Sequence, residues 1–65
     1  MTDKELIGYT KLHSKTPRAL FHISHIQRMY ELAGEVPPDG NDFYSWPYED
    51  AKPIIEAAEA NLAAT

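Results

Sequence analysis

The sequence has no cysteine, few glycines and no long apolar run. The lack of cysteine excludes disulfides, thiolate zinc sites, iron–sulfur clusters and cysteine nucleophiles. No run approaches the roughly 20 apolar residues of a transmembrane helix, and the N-terminus lacks the charged and apolar pattern of a signal peptide. We therefore predict a cytoplasmic protein that makes no membrane contact.

The chain is short and moderately apolar, with 65 residues of which 43% are hydrophobic. This length allows one domain, and the apolar content argues against disorder. A chain of this size buries only about 60% of its unfolded surface, so its core is small. We predict a single small globular domain over residues 1–65.

Charge is distributed unevenly along the chain. Residues 1–33 carry five Lys and Arg against three Asp and Glu, a net charge of +2, whereas residues 34–65 carry one lysine against seven acids, a net charge of −6. Such asymmetry favours docking of the acidic half on a basic partner. Simple solvation of the acidic side chains explains the pattern equally well.

A first helix is predicted near the N-terminus, where Thr2 and Glu5 have the spacing of a capping box. The apolar pattern over residues 6–12 has no decisive period, so a short strand there stays an alternative. On a helix, four side chains would face inward: Leu6, Ile7, Tyr9 and Leu12.

A second helix is predicted from Pro17 to Gly34, with Thr16 as N-cap and Gly34 as the stop. Its apolar residues cover two sides, which is typical of a central helix packed against more than one neighbour. One side holds Ala19, Ile23, Ile26, Tyr30 and Ala33, and the other Phe21, Met29 and Leu32.

A third helix is predicted to start near Asp50 as N-cap, after a loop over residues 35–42 that is rich in Pro, Asp and Gly. Its buried face comprises Ala51, Ile54, Ile55, Ala58 and Leu62. The predicted class is mainly α, a three-helix domain with a long aromatic loop between the last two helices. The alternative is an α+β fold with short strands near 6–12 and 42–46.

Aromatic residues concentrate in residues 43–48, which hold four of the seven in the chain. Aromatic side chains dominate binding hot spots, and flanking carboxylates select a basic partner. The predicted contact residues are Asp39, Asp42, Tyr44, Trp46, Tyr48, Glu49, Asp50, Glu56 and Glu59. For Trp46 and Phe43 core packing is the favoured alternative, whereas Tyr44 and Tyr48 are expected to be partly exposed.

An acidic row on the third helix, Glu49, Glu56 and Glu59, is open to two interpretations. It serves solubility, or it imitates the phosphates to which nucleic-acid-binding proteins present lysine and arginine. The basic cluster of Lys11, Lys15 and Arg18 is opposed by the acidic half, so we expect no direct binding of nucleic acid.

Metal binding and catalysis have little support in the sequence. His22 and His25 form an H-x-x-H pair, but no third ligand accompanies them, so packed or hydrogen-bonded histidines are favoured. The glycines are dispersed and no serine lies in a nucleophile elbow. We predict a protein that is not an enzyme and uses no metal or cofactor.

In length, acidity and lack of catalytic motifs, the chain is similar to small phage-encoded inhibitors, including anti-CRISPR, antirestriction and RNA-polymerase-binding proteins. The predicted function is a non-catalytic binding module, an inhibitor that occupies a basic surface of a larger protein, such as a surface that binds nucleic acid. The alternative is a helical oligomerisation, adaptor or regulatory protein, and both a monomer and a homodimer stay open.

Overall fold

The computed structural model describes residues 2–16 and 19–64, which form three helices and a two-stranded antiparallel sheet. The elements in chain order are α1 (Asp3–His13), β1 (Leu20–His22), α2 (Ile23–Ala33), β2 (Phe43–Ser45) and α3 (Tyr48–Ala64). This arrangement confirms the predicted mainly α class with three helices. The strand expected near 42–46 in the alternative fold is also present, whereas residues 6–12 are helical.

Helix α1 begins with the predicted capping box. The Thr2 hydroxyl accepts a hydrogen bond from the Glu5 backbone N–H at 3.2 Å, and the Glu5 carboxylate accepts one from the Thr2 N–H at 3.1 Å. Hydrogen bonding of the Glu5 carboxyl to the backbone and then the side chain of Thr2 lowers its pKa. Ile7 is buried as expected, but Tyr9 and Leu12 are exposed, which corrects their predicted inward orientation.

Helix α2 begins at Ile23, which corrects the predicted start at Pro17. Residues 20–22 are extended instead and pair with β2. The His22 side chain caps the helix by accepting a hydrogen bond from the Ser24 N–H at 3.2 Å. Tertiary pairing overrides helix propensity here, because the strand bonds bring Phe21 over the core.

The predicted N-cap Thr16 has a different role. Its hydroxyl donates to the backbone carbonyl of His13 at 2.9 Å, so it closes the end of α1 rather than opening α2. Pro17, the predicted first helical residue, lies outside the described residues. The predicted stop at Gly34 is confirmed, since this residue takes the left-handed conformation with φ of 77°.

Helix α3 begins at Tyr48, two residues before the predicted N-cap Asp50. The backbone N–H groups of Asp50 and Ala51 both donate to the Pro47 carbonyl at 3.0 Å, so Asp50 already belongs to the first turn. Its carboxylate and that of Glu49 lie where the helix dipole favours negative charge.

Helices α2 and α3 run in the same direction. The Asn61 amide donates to the Leu32 carbonyl at 2.9 Å, which joins their C-terminal ends. The chain must therefore travel back along the 11 residues of α2, about 16 Å, before α3 begins. Residues 34–47, here called the return segment, cover this distance.

Two hydrogen bonds fasten the return segment to α2. The Gln27 side chain donates to the Pro38 carbonyl at 3.0 Å, and the Ile23 N–H donates to the Asp42 carbonyl at 2.9 Å. The segment then enters β2, which pairs with β1. The predicted loop over residues 35–42 thus lies against α2.

The core lies between the three helices and the inner face of the sheet. Met29 and Ala51 are fully buried, and α2 is the central helix, as expected. The buried apolar residues are Ile7, Ala19, Phe21, Ile23, Ile26, Met29, Ala33, Trp46, Ala51, Ile54, Ile55 and Ala58. Among the helices that the structure describes, none is long and apolar enough to cross a membrane.

The hydroxyl of Ser14 is buried at the end of α1 with no hydrogen-bond partner among the described residues. An unmet buried hydroxyl costs about 1–3 kcal/mol, so Ser14→Ala is expected to raise the free energy of unfolding by about 1 kcal/mol. Urea unfolding followed by circular dichroism measures this, with the exposed Ser45→Ala as a control that stays within about 0.5 kcal/mol. A loss of stability in Ser14→Ala would contradict the assignment.

Candidate functional site

Three of the predicted contact residues, Asp39, Tyr44 and Trp46, line one pocket of about 170 Å³ between the return segment and α2. We call this cavity the aromatic pocket. Its other lining residues are Ile23, Ile26, Tyr30 and Pro38. The pocket forms because the return segment crosses α2 at Pro38 and only then turns inward at Trp46.

Trp46 is a core residue that is only 5% exposed. Its ring packs edge-on against Phe21 at 5.7 Å between centroids and lies 6.2 Å from the Tyr30 ring. The indole N–H is buried with no partner among the described residues. The expected core placement of Trp46 is therefore confirmed, and its interpretation as an exposed anchor is corrected.

Phe43 is 57% exposed, so its predicted core placement is wrong. Side chains alternate between the two faces of a strand. Tyr44 is paired with the buried Phe21, which places Phe43 on the outer face opposite His22, at 5.0 Å between ring centroids. Once the strand and the inward position of Trp46 are known, a period of two places Phe43 outside.

The outer face of the sheet is an exposed apolar patch that sequence reasoning missed. Leu20 and Phe43 are both largely exposed there, on the face that also carries His22 and Ser45. The predicted helix over residues 17–34 concealed this patch, because it assigned Leu20 to a helical turn. Tyr44, 43% exposed on the opposite face, is partly exposed as expected.

The predicted residues at the start of α3 are separate from the aromatic pocket. Tyr48 is half-buried, and the Lys15 ammonium lies 5.5 Å from the centroid of its ring. Glu49 and Asp50 are exposed in the first helical turn, where the helix dipole already accounts for their charge. Their position therefore has a structural explanation independent of any partner.

The acidic row on α3 is divided in the structure. The Glu59 carboxylate faces α1 and pairs with the Lys11 ammonium at 3.3 Å. Glu49 and Glu56 remain exposed, and their spacing of seven positions puts them about 10.5 Å apart along the helix axis. The exposed Lys52 lies between these two carboxylates in sequence.

Of the described cations of the first half, Arg28 and Lys11 form ion pairs, and Arg28 alone among them pairs with acids of its own half. The Arg28 guanidinium pairs with Asp3 at 3.0 Å and with Glu31 at 3.8 Å. Within residues 2–16 and 19–64, six exposed acids of the second half form no ion pair: Glu35, Asp39, Asp42, Glu49, Asp50 and Glu56. The Asp42 carboxylate accepts a hydrogen bond from the Phe43 N–H at 2.8 Å.

Both histidines of the H-x-x-H pair are hydrogen-bonded, as predicted. His25 Nε2 lies 2.6 Å from the Thr10 hydroxyl, which donates its single proton to the Leu6 carbonyl, so the ring N–H is the donor. Burial lowers the pKa of His25. In the part of the chain that the structure describes, no three metal-ligating side chains cluster.

A larger open groove of about 400 Å³ lies between α1 and α3. Of the predicted contact residues it includes Glu59, whose carboxylate is paired with Lys11. The other lining residues are Lys4, Ile7, Gly8, Leu62 and Ala63.

Comparison of the chain with protein-family models, with curated proteins and with solved structures gives no match in any of the three.

Proposed function

We propose that the protein is a non-catalytic binding module that docks residues 39–47 of the return segment and the exposed side of α3 on a basic surface of a larger protein. One observation carries the proposal: carboxylates without an ion pair among the described residues share the second half of the chain with exposed aromatic rings. Carboxylates steer a basic partner toward the surface, and the rings of Phe43 and Tyr44 contribute area that binding can bury.

The basic surface is proposed to be one that binds nucleic acid, so that the protein acts as an inhibitor. Nucleic-acid-binding surfaces present lysine and arginine to regularly spaced phosphates. Glu49 and Glu56 offer two exposed negative charges about 10.5 Å apart on one side of α3. The small, acidic chain is also similar in character to phage-encoded anti-CRISPR and antirestriction inhibitors, and we propose a cytoplasmic encounter.

The alternative, self-association through the apolar stripes of α2 and α3, has less support. The residues that would form such an interface are buried inside the protein, among them Ile26, Met29 and Ile55. A binding module therefore fits the exposed surface better than an oligomerisation module does.

The test compares Glu56→Lys with Glu35→Lys, which change the net charge equally at exposed positions. Each protein is immobilised and used to capture proteins from the source-cell extract at 50 and 300 mM salt. We expect the unmodified chain and Glu35→Lys to retain a basic protein at low salt. Glu56→Lys is expected to weaken that association by about threefold or more, through slower encounter.

Two results would contradict the proposal. One is a retained protein whose binding is insensitive to salt and to Glu56→Lys. The other is a stable homodimer of the unmodified chain at micromolar concentration in sedimentation velocity, which favours the oligomerisation alternative.

A further inference from the structure

The size of the aromatic pocket indicates what it can hold. Its volume is about 170 Å³. Sites for cofactors and drug-sized ligands enclose about 300–1,000 Å³, and a single water occupies about 30 Å³. The aromatic pocket is therefore too small for a nucleotide or a cofactor but has room for one amino-acid side chain.

The walls combine aromatic rings with one carboxylate. Ile23, Ile26 and Trp46 are buried and form the floor, whereas Asp39 and Tyr44 are exposed and form the rim with Pro38. The half-buried Tyr30 supplies a third ring, tilted 30° from that of Trp46. The faces of such rings carry negative potential that attracts an ammonium or guanidinium group.

Close packing holds the rim in place. A Cβ at Gly40 would come within 2.9 Å of the Tyr44 hydroxyl and 3.2 Å of an Ile23 side-chain carbon. The Tyr44 ring thus lies directly against the return segment at a glycine, and any side chain there must displace it. The rim of the aromatic pocket is built before a ligand arrives, which reduces the cost of binding.

We infer that the aromatic pocket receives one basic side chain, lysine or arginine, of the partner protein. The inference rests on the proposed function and names the feature of the basic surface that is recognised. Asp39 forms no ion pair with a described residue, and residues 34–65 carry a net charge of −6. A cation that entered would meet this carboxylate and three aromatic rings together.

The experiment titrates the full chain, labelled with ¹⁵N and ¹³C, with three capped tripeptides whose central residue is lysine, arginine or norleucine. Norleucine has the apolar length of lysine without its charge. Trp46 is the one tryptophan of the chain, so its indole signal reports on the aromatic pocket without overlap. We expect millimolar binding of the lysine and arginine peptides, with shifts at the Trp46 indole and the Ile23 and Ile26 methyl groups, at least about threefold tighter than that of norleucine.

Matched variants separate local recognition from general attraction. Asp39→Asn and Glu56→Gln remove the same charge, but only Asp39 lines the aromatic pocket. We expect Asp39→Asn to lower the affinity for the lysine peptide about threefold. Glu56→Gln is expected to leave that affinity equal, within experimental error, to that of the unmodified chain. Gly40→Ala, which moves Tyr44 without changing any charge, is expected to weaken the binding of all three peptides.

Each remaining outcome overturns the inference. Equal binding of the norleucine peptide would mean an apolar pocket without preference for a cation. Shifts confined to the Glu49 and Glu56 region of α3 would mean diffuse attraction, and would leave the proposed function standing. An absence of shifts at the Trp46 indole up to 20 mM peptide would mean that the pocket does not bind a basic side chain. Failure of the proposed function appears separately, in the Glu56→Lys capture.

Discussion

Trp46→Ala is expected to lower the free energy of unfolding by about 3–5 kcal/mol, which would leave little folded protein. A chain of 65 residues is stabilised by about 3–10 kcal/mol in total. Trp46 is buried against Phe21 and Tyr30, so its removal opens a cavity where the sheet meets α2. Urea unfolding followed by circular dichroism measures the loss without needing the tryptophan signal.

Trp46→Phe is the informative companion. It keeps an aromatic ring in the core and removes an indole N–H that has no partner among the described residues. The smaller ring buries less apolar area, which destabilises the fold, whereas removal of the unpaired N–H stabilises it. We therefore expect the free energy of unfolding to fall by no more than about 2 kcal/mol. Similar losses for Trp46→Phe and Trp46→Ala would show that the indole N–H, rather than the ring, holds the core together, against our assignment.

Met29→Ala is expected to lower the free energy of unfolding by about 2–5 kcal/mol. Met29 has no exposed surface and lies on α2, the central helix, so the cavity left by its truncation has little means to collapse. Met29→Leu nearly conserves volume and is expected to cost less than about 1.5 kcal/mol. Thermal and urea unfolding of the three proteins at one pH gives the comparison.

Leu12→Ala is the control for this truncation. It removes a side chain of similar size from a position that is 69% exposed, and is expected to change stability by no more than about 0.5 kcal/mol. Equal losses at Leu12 and Met29 would contradict the burial that distinguishes them.

The wrong prediction of where α2 begins has one cause. Thr16 and Gly34 have the local sequence features of a helix start and a helix end. Gly34 ends α2 as predicted, but Thr16 does not begin it. At the other end, pairing of residues 20–22 with 43–45 satisfies the same backbone groups as a helix would and buries Phe21. Two strands of three residues leave too weak a period to be found before their partner is known.

The candidate site was predicted by composition rather than by geometry. The aromatic and acidic segment is visible in the sequence, and it supplies Asp39, Tyr44 and Trp46 to the aromatic pocket. Tyr30, from α2, was assigned to the core stripe and joins the same pocket. The Lys11 pairing that removes Glu59 from the acidic row spans 48 residues, so no local pattern could indicate it.

The sequence by itself determined the mainly α class, the capping box of α1, the stop at Gly34, the buried face of α3 and the uneven charge, because each depends on neighbours within a few turns. Tertiary structure decided which aromatic rings are inside and which acids are free. The parallel course of α2 and α3 requires the chain to return along α2. That return places Trp46 in the core, leaves Phe43 outside and opens the aromatic pocket between the return segment and α2. Such long-range packing depends on the path of the whole chain, which local patterns do not encode.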